Sequence, residues 1–407
     1  MFPLLHLCAR IEPHPLQQKL LVHACARFQA WDGLLQQAEV QGMAPLLLRH
    51  LLLAEINPPD HILRSLRLLA LRHRQSNGLL SKTLAKVLTI LESAGIPVLV
   101  LKGAALCQTL YPDPGLRPMR DIDLLVPWDQ ALPAHTLLQQ HGFHDPAVFT
   151  PEDHLHLAAL YQEVDGIQVC LELHRSLFPD CPPCPKRIDF SKLYERAKAF
   201  EVNEMPAFTL GTLGNEDMLW HLYQHGFHAP LPYDPFKLIS AADIIGFVEA
   251  RLDVIDWNRI TSHYPPLLAA LPQFHHLSPW NEAVQERLEF GTERRPSGVG
   301  KSFTGWPRRK LAKQKGRGIG PILRDTFLPP DWWLRIYYAP KGQIGRLWSL
   351  IVQHPLHVFW WIKLYWAIFL KETLPEENIS VPMKLRDIVI VVKNSRTLIA
   401  ALYRKTH

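Results

Sequence analysis

Residues 98–126 read VLVLKGAALCQTLYPDPGLRPMRDIDLLV, and this stretch decides the fold. A short apolar run rich in β-branched residues comes first, and Gly103 follows it at the start of a short helix predicted over 104–111. A turn rich in proline and a second apolar run come next, and IQVCLEL lies further along the chain. The pattern predicts strands over 96–101, 121–126 and 167–173. Together these elements predict a compact α/β unit.

Two aspartates stand at the start of the second predicted strand. Side chains alternate between the faces of a strand, so Asp121 and Asp123 point to the same side. Carboxylates this close repel each other unless a cation neutralises them, and Mg²⁺ or Mn²⁺ takes oxygen ligands. Glu172, flanked by leucines in the third strand, would complete a two-metal catalytic site if it faced the aspartates. Because the acids repel, we expect either Asp→Asn variant to leave the metal-free fold equally or more stable.

A phosphate-binding element is predicted just before the aspartates. Gly103, between a strand and a helix, lets the backbone approach a phosphate, and the helix N-terminus that includes Ala104 offers free N–H groups. Lys102 adds a positive charge, and Arg117 and Arg120 lie just before the acidic strand. These five residues are our predicted nucleotide-binding set.

These residues resemble the motif of the polymerase-β-like nucleotidyltransferase superfamily, and more specifically a bacterial family of uncharacterised nucleotidyltransferases. The superfamily motif is an apolar strand, a glycine pair or Gly-Ser, and then Asp-x-Asp, with a third acid on a later strand. The resemblance extends to WDGLLQQAEVQGMAPLLLRHL, LELH, LGNEDMLWHLYQHG, ADIIGFVEARLDVIDWNRI and TFLPPDWWLRIYY. It covers most of the chain except residues 291–320.

The resemblance implies an α+β fold, with a small mixed nucleotidyltransferase sheet and flanking helices embedded in larger helical regions. It also implies metal-dependent transfer of a nucleotidyl group from an NTP to an unidentified acceptor, either a small molecule or a protein. This sequence departs from the wider superfamily in two ways. Ala104 stands where Gly or Ser is preferred, and the spacing from Gly103 to Asp121 is longer than usual.

Other interpretations of the same residues stay open at this point. The aspartates could form a solvated strand end, and Glu172 could form a structural ion pair with Arg175 or Lys102. His174 lies on the same strand face as Glu172 and is interpreted as a structural histidine, with support of the acids as the alternative. At the level of function, the alternative is an inactive scaffold that retains the fold and binds a nucleotide or a partner.

Hydrophobic periodicity outlines the rest of the chain. Leucines recur at helical spacing through 15–95, with breaks at Gly42, at Pro45 and at the turn 57–60, and Gly95 is a plausible C-cap. The predicted regions are an N-terminal helical region at 1–95, a nucleotidyltransferase core at 96–212, a helical region at 213–290, a basic linker at 291–320 and an aromatic-rich helical region at 321–407.

Charge is concentrated in one segment of the chain. Residues 291–320 hold nine Lys or Arg against the single acid Glu293, so their net charge is +8 within a total of +6. No apolar periodicity accompanies these charges, which predicts an exposed linker that could touch nucleic acid or acidic lipid. Residues 351–370 are apolar and aromatic but include polar groups, so they could contact a membrane surface. We expect a cytoplasmic protein without a signal peptide, and this apolar stretch could hold it at the surface of a membrane.

Three further motifs are interpreted as structural. Cys181 and Cys184 have zinc-like spacing but no second pair nearby, and six cysteines in a chain this long do not predict a disulfide scaffold. Gly300-Lys301-Ser302 lacks the first glycine and the preceding strand of a P-loop. Three histidines recur at helical spacing and predict packing or capping more than metal binding; they are His221, His225 and His228.

Overall fold

The computed structural model describes residues 2–145, 155–178, 188–199, 211–228, 236–288, 295–301, 303, 319–360 and 362–363. These residues form an α+β fold, in which helices surround a six-stranded mixed sheet. The predicted fold class is therefore confirmed. Cys181 and Cys184 lie outside the described residues. The division of the chain into five regions stays a prediction.

The sheet contains the three predicted strands side by side. Its strands are β1 (Leu99–Val100), β2 (Asp121–Leu125), β3 (Leu160–Val164), β4 (Ile167–His174), β5 (Lys198–Ala199) and β6 (Gly211–Thr212). Their order across the sheet is β3-β4-β2-β1-β6-β5. β2 runs parallel to β4 and antiparallel to β1. The prediction that the three strands share one sheet is confirmed, although β1 is shorter than predicted.

Strand β3 was missed in the sequence. It pairs with β4 as an antiparallel hairpin, and Asp165 and Gly166 form the turn with φ values of 50° and 75°. Positive φ at both central residues is typical of the tight hairpin turns that Asp-Gly favours. The Asp-Gly pair was therefore a usable signal, but the residues before it, LYQEV, are too polar to resemble a buried strand.

Helices precede the sheet, as the leucine spacing predicted. They are α1 (Pro3–Leu7), α2 (Pro15–Cys25), α3 (Trp31–Val40), α4 (Ala44–Leu53) and α5 (Asp60–Ser93). Gly42 and Gly95 both have φ of 70° and follow the ends of α3 and α5, which confirms them as helix-terminating residues. Pro45 lies in the first turn of α4, where its missing N–H leaves no intrahelical hydrogen bond unmade.

Helices also follow and connect the strands. They are α6 (Lys102–Thr109), α7 (Ala131–Gln140), α8 (Phe190–Glu195), α9 (Asn215–Phe227), α10 (Leu238–Arg251), α11 (Trp257–His263), α12 (Pro265–His275), α13 (Glu282–Leu288), α14 (Ile319–Phe327), α15 (Asp331–Tyr338) and α16 (Gly342–Trp348). The prediction of helices over 213–290 and in the tail is confirmed for the described residues.

The two faces of the sheet differ in character. On one face, four fully buried side chains form a hydrophobic layer; they are Ile122, Leu124, Leu171 and Leu173. Helix α5 packs against β2 and β4, and α7 packs against β4. Full burial of each leucine contributes roughly 1.5–3 kcal/mol to folding. Side-chain alternation leaves the acidic residues of β2 and β4 on the opposite face.

Two residues of the segment predicted as a basic linker contact the aromatic helix α15. Phe303 is 1% exposed and stacks on Trp333 with ring centroids 5.1 Å apart. The backbone N–H of Trp332 donates to the carbonyl oxygen of Ser297 over 3.1 Å. Ser297 and Phe303 therefore contact α15, whereas Arg295 and Lys301 are exposed, and the linker over 291–320 stays a prediction. An isolated phenylalanine carries no periodic signal, which is why the sequence pattern missed this contact. Residues 304–318 lie outside the described residues.

Within the part of the chain that the structure describes, no helix combines the length and the apolar character needed to cross a membrane.

Candidate active site

The parallel register of β2 and β4 brings the predicted acids together. Asp123 lies directly opposite Glu172, and Asp121 lies opposite Cys170. Residues two apart in a strand share a face, so both aspartates, Glu172 and His174 lie on the same side of the sheet. The prediction that the three acids lie on one side of the sheet is confirmed.

Three side chains of this face form a compact group. The Nε2 atom of His174 lies 2.8 Å from Oδ1 of Asp123 and 3.5 Å from Oε2 of Glu172. One ligand atom from each residue falls within 4.8 Å of the others, a spacing suited to a shared metal ion. Asp121 is on the same face but is not part of this tight group. His174, which the sequence favoured as a structural histidine, therefore joins the two carboxylates.

Lys102 reaches the same group from the start of α6. Its Nζ lies 3.0 Å from Oδ1 of Asp123, and its side chain is almost buried. Its φ of 42° is left-handed, a conformation that costs an ordinary L-residue roughly 1–2 kcal/mol. The ion pair places Lys102 beside Asp123, and not beside Glu172 as one interpretation of the sequence allowed.

The charges of the group shift each other's pKa values. Burial alone would raise the pKa of Asp123, but the Lys102 ammonium and the His174 N–H hold it well below its ordinary value. Burial and the neighbouring Asp123 charge raise the pKa of Asp121. The hydrogen bond from His174 lowers the pKa of Glu172. Asp123 is thus well compensated, whereas the Lys102 and Arg117 charges only partly offset the burial and repulsion that raise the pKa of Asp121.

The two predicted arginines have different environments. Arg117 is largely buried, and its Nε and Nη2 atoms donate to the carboxylate of Asp243 on α10 over 2.9 and 2.7 Å. Burial alone would lower the pKa of Arg117, but the Asp243 carboxylate raises it above its ordinary value. Arg120 is exposed. A Cβ atom at Gly103 would overlap Nη1 of Arg117, so this glycine also makes room for the buried guanidinium.

Helix α9 brings two histidines within electrostatic reach of Lys102. His221 is buried, with its ring centroid 5.9 Å from that of Phe178 and 6.1 Å from that of His225. Burial and then the Lys102 charge hold the pKa of His221 well below its ordinary value. The Lys102 charge, with partial desolvation, lowers the pKa of His225 to about 3. Both shifts favour the neutral form of the imidazole ring.

The packing role predicted for the third histidine is confirmed. His228 stacks on Tyr337 with ring centroids 4.7 Å apart, and its Nε2 lies 2.9 Å from the Tyr223 hydroxyl. The four-residue spacing of His221 and His225 placed them on one helix face, but it could not show that this face turns toward Lys102.

The sequence and the fold are similar to those of known nucleotidyltransferases. A family model described as "Uncharacterised nucleotidyltransferase" matches residues 29–267. No curated protein matches the chain. The solution structure of the antibiotic-resistance factor ANT(2'')-Ia is 15% identical and aligns over 49% of this chain and 98% of its own, with a TM-score of 0.31. The crystal structure of an antigenic nucleotidyltransferase-like protein from Paracoccidioides brasiliensis is 16% identical and aligns over 52% and 93%, with a TM-score of 0.35.

The family match runs from α3 to the first turn of α12 and includes Lys102 and the α9 histidines. It also includes the acidic group, which consists of Asp121, Asp123 and Glu172. It covers more than half of the chain, and the chain is a member of the uncharacterised nucleotidyltransferase family.

Proposed function

We propose that the protein transfers a nucleotidyl group from an NTP to a hydroxyl or phosphate acceptor, with Mg²⁺ or Mn²⁺ as cofactor. The observation that carries this proposal is the register of β2 and β4, which sets Asp123 opposite Glu172 with Asp121 on the same face. In the reaction, the acceptor oxygen bonds to the α-phosphorus, the bond from the α-phosphorus to the bridging oxygen breaks, and pyrophosphate leaves. The acceptor proton is lost to solvent or to a base.

The acidic group has the chemistry of a divalent-cation site. Asp121, Asp123 and Glu172 supply carboxylate oxygens, which Mg²⁺ and Mn²⁺ prefer. The raised pKa of Asp121 marks a carboxylate whose charge a cation would relieve. A bound cation would neutralise triphosphate charge and lower the pKa of an acceptor hydroxyl. In the described geometry, the single Nε2–H of His174 donates to Oδ1 of Asp123 over 2.8 Å, and Nε2 lies 3.5 Å from Oε2 of Glu172, so this histidine supports both acids.

The nucleotide phosphates would lie at the start of α6. Lys102, Gly103 and Ala104 form the first residues of that helix, whose free N–H groups and positive dipole end favour an anion. Lys102 would exchange its contact with Asp123 for a phosphate oxygen once the cation takes over the carboxylate. Arg120 is exposed beside the first aspartate and is the arginine available for a phosphate. Arg117, which is paired with Asp243, would pack against Gly103 and support the backbone there.

One assay, the release of pyrophosphate from NTP, distinguishes nucleotidyl transfer from the alternative function. The rival is an inactive scaffold that binds a nucleotide or a partner and does no chemistry. Purified protein is incubated with each common NTP, with and without Mg²⁺ or Mn²⁺, and with sugar phosphates, RNA or co-purifying proteins as acceptors. We expect pyrophosphate release that requires the divalent cation, with ATP as the first donor to test. Nucleotide binding without pyrophosphate release under any of these conditions would favour the scaffold.

A Lys102→Met variant tests the exchange of partners proposed for this lysine. The change removes the cation that a metal ion must displace from Asp123, so the affinity for Mg²⁺ without nucleotide should rise. It also removes a charge-assisted contact to phosphate, worth roughly 1.5–3 kcal/mol, so the KM for NTP should rise about ten-fold or more. Calorimetric titration of Mg²⁺ and steady-state kinetics measure the two effects.

Lys82→Met is the matched control for this variant. Lys82 is exposed on α5, and its loss should change neither Mg²⁺ affinity nor KM. If Lys102→Met weakened Mg²⁺ binding, the lysine would be a structural support of Asp123 and its proposed movement would be wrong.

A further inference from the structure

A row of exposed apolar side chains runs along the helical residues that follow α15. We call the following six residues the apolar row: Ile344, Leu347, Trp348, Ile351, Leu356 and Phe359. Their exposed fractions range from 43% to 85%. The first four recur at three- and four-residue spacing and therefore lie on one helix face. The helical run begins as α16, passes through π-helical residues Ser349–Gln353 and continues to residue 360.

The same helical run buries polar groups on its other side. His354 is fully buried and lies 2.7 Å from the carbonyl oxygen of Thr326 and 3.0 Å from the Tyr338 hydroxyl. His357 is also buried and contacts the same hydroxyl. A helix at a water-facing surface normally buries its apolar residues and exposes its polar ones. This run buries Val358 and Trp360 as expected, but it also buries two histidines and leaves the six apolar side chains of the row exposed, so its outer face suits an apolar environment.

The charged side chains around the apolar row indicate which kind of apolar surface it would contact. The arginines near the row, Arg335 and Arg346, lie 3.1 and 3.5 Å from the carboxylate of Asp331, so their charges are paired and, among the described residues, the unpaired charge comes from lysines. Lys341 and Lys363 are exposed near the two ends of the row. An exposed apolar helix face with flanking lysines and a tryptophan fits the interface of an anionic bilayer, where apolar side chains enter the acyl boundary and lysines meet lipid phosphates.

We propose that the apolar row docks the protein on the surface of an anionic lipid membrane, with the helical run lying in the plane of the interface. A second copy of the chain is a poorer occupant. A two-fold contact would place the same lysine-flanked surface against itself, with like charges facing each other. The proposal is independent of the nucleotidyl-transfer chemistry and concerns where the enzyme acts.

Vesicle binding by the full chain tests the docking. Wild-type protein is sedimented with sucrose-loaded vesicles of phosphatidylcholine alone or mixed with phosphatidylglycerol, at low and high salt. We expect binding at least about ten-fold stronger to the anionic vesicles and weaker at high salt. The double variant Ile344→Asp with Ile351→Asp should lose this binding by at least about ten-fold, since two charges would enter the apolar boundary.

The matched control places the same two charges elsewhere. Leu132 and Val254 are 65% and 58% exposed, so Leu132→Asp with Val254→Asp should bind vesicles as wild type does. Light scattering without lipid accompanies the assay. The proposal is overturned if wild type does not bind vesicles, or if the two double variants bind equally. A wild-type dimer that Ile344→Asp dissociates would assign the row to a second copy. Absent vesicle binding, with a lower melting temperature of the Ile344→Asp and Ile351→Asp variant, would assign it to the chain's own residues 364–407.

Discussion

Asp121→Asn and Asp123→Asn should both lower turnover, on the order of a thousand-fold, yet change the stability of the metal-free protein in opposite directions. Each change removes one negative charge from the proposed cation site, and metal-based stabilisation of the transition state is worth several kcal/mol. Without metal, the two aspartates differ. Asp121 is repelled by its neighbour, and Asp123 is paired with Lys102 and His174.

The expected stabilities follow from those pairings. A carboxyl whose pKa is raised by folding opposes folding when it is ionised, so Asp121→Asn should raise the melting temperature of the metal-free protein at pH 7. A carboxyl whose pKa is depressed favours folding when it is ionised, so Asp123→Asn should lower it and leave Lys102 without its counter-charge. The sequence alone predicted equal or greater stability for both variants. The ion pair of Asp123 changes that expectation.

Melting curves with and without Mg²⁺, beside a pyrophosphate assay, measure these effects. Mg²⁺ should raise the melting temperature of the wild type by linkage, and raise those of the variants much less. Asp129→Asn is the control, because Asp129 is exposed in the loop after β2 and should affect neither turnover nor stability. Turnover that persists in Asp123→Asn would exclude the proposed site. Identical stability shifts in both variants would contradict the pairings described here.

The central strands and the acidic face could be predicted because they depend on local pattern. Period-two alternation fixed the common face of Asp121 and Asp123, and an acid between leucines marked Glu172. The parallel pairing of β2 with β4, which makes Asp123 face Glu172, is a tertiary fact consistent with the family resemblance. Residues 29–267 carry that family match, so the sheet and site lie in the region where sequence was most informative.

The pairing of each charge could not be predicted from the sequence. Asp243 lies 126 positions after Arg117 in a predicted helix, where nothing in the local pattern distinguishes a buried acid from a solvated one. The role of His174 was also uncertain, because its distance to Asp123 depends on the strand register and not on its own neighbours. Identifying the partners of long-range ion pairs therefore required the structure. The faces of strands and the hydrophobic periodicity of helices could be predicted from the sequence.

Arg117→Gln should destabilise the protein by about 3–5 kcal/mol, the usual effect of removing one partner of a buried ion pair. Among the described residues, the change would leave the Asp243 carboxylate, which is 1% exposed, with the Tyr111 hydroxyl as its remaining hydrogen-bond partner. Arg117 joins the loop before β2 to α10, so its loss should also loosen the approach to Asp121. Urea unfolding of the wild type, Arg117→Gln, Asp243→Asn and the double variant measures the coupling between the two residues.

Arg120→Gln makes this experiment a test of function as well as of stability. Arg120 is exposed, so its loss should change the free energy of unfolding by less than about 0.5 kcal/mol. If Arg120 holds a phosphate, its loss should raise the KM for NTP, whereas Arg117→Gln should act through stability. The opposite result, an unchanged free energy of unfolding in Arg117→Gln with a raised KM, would return Arg117 to the direct nucleotide contact that the sequence first indicated. Arg117, and not the exposed Arg120 three positions later in the same loop, would then be the arginine that contacts the phosphate.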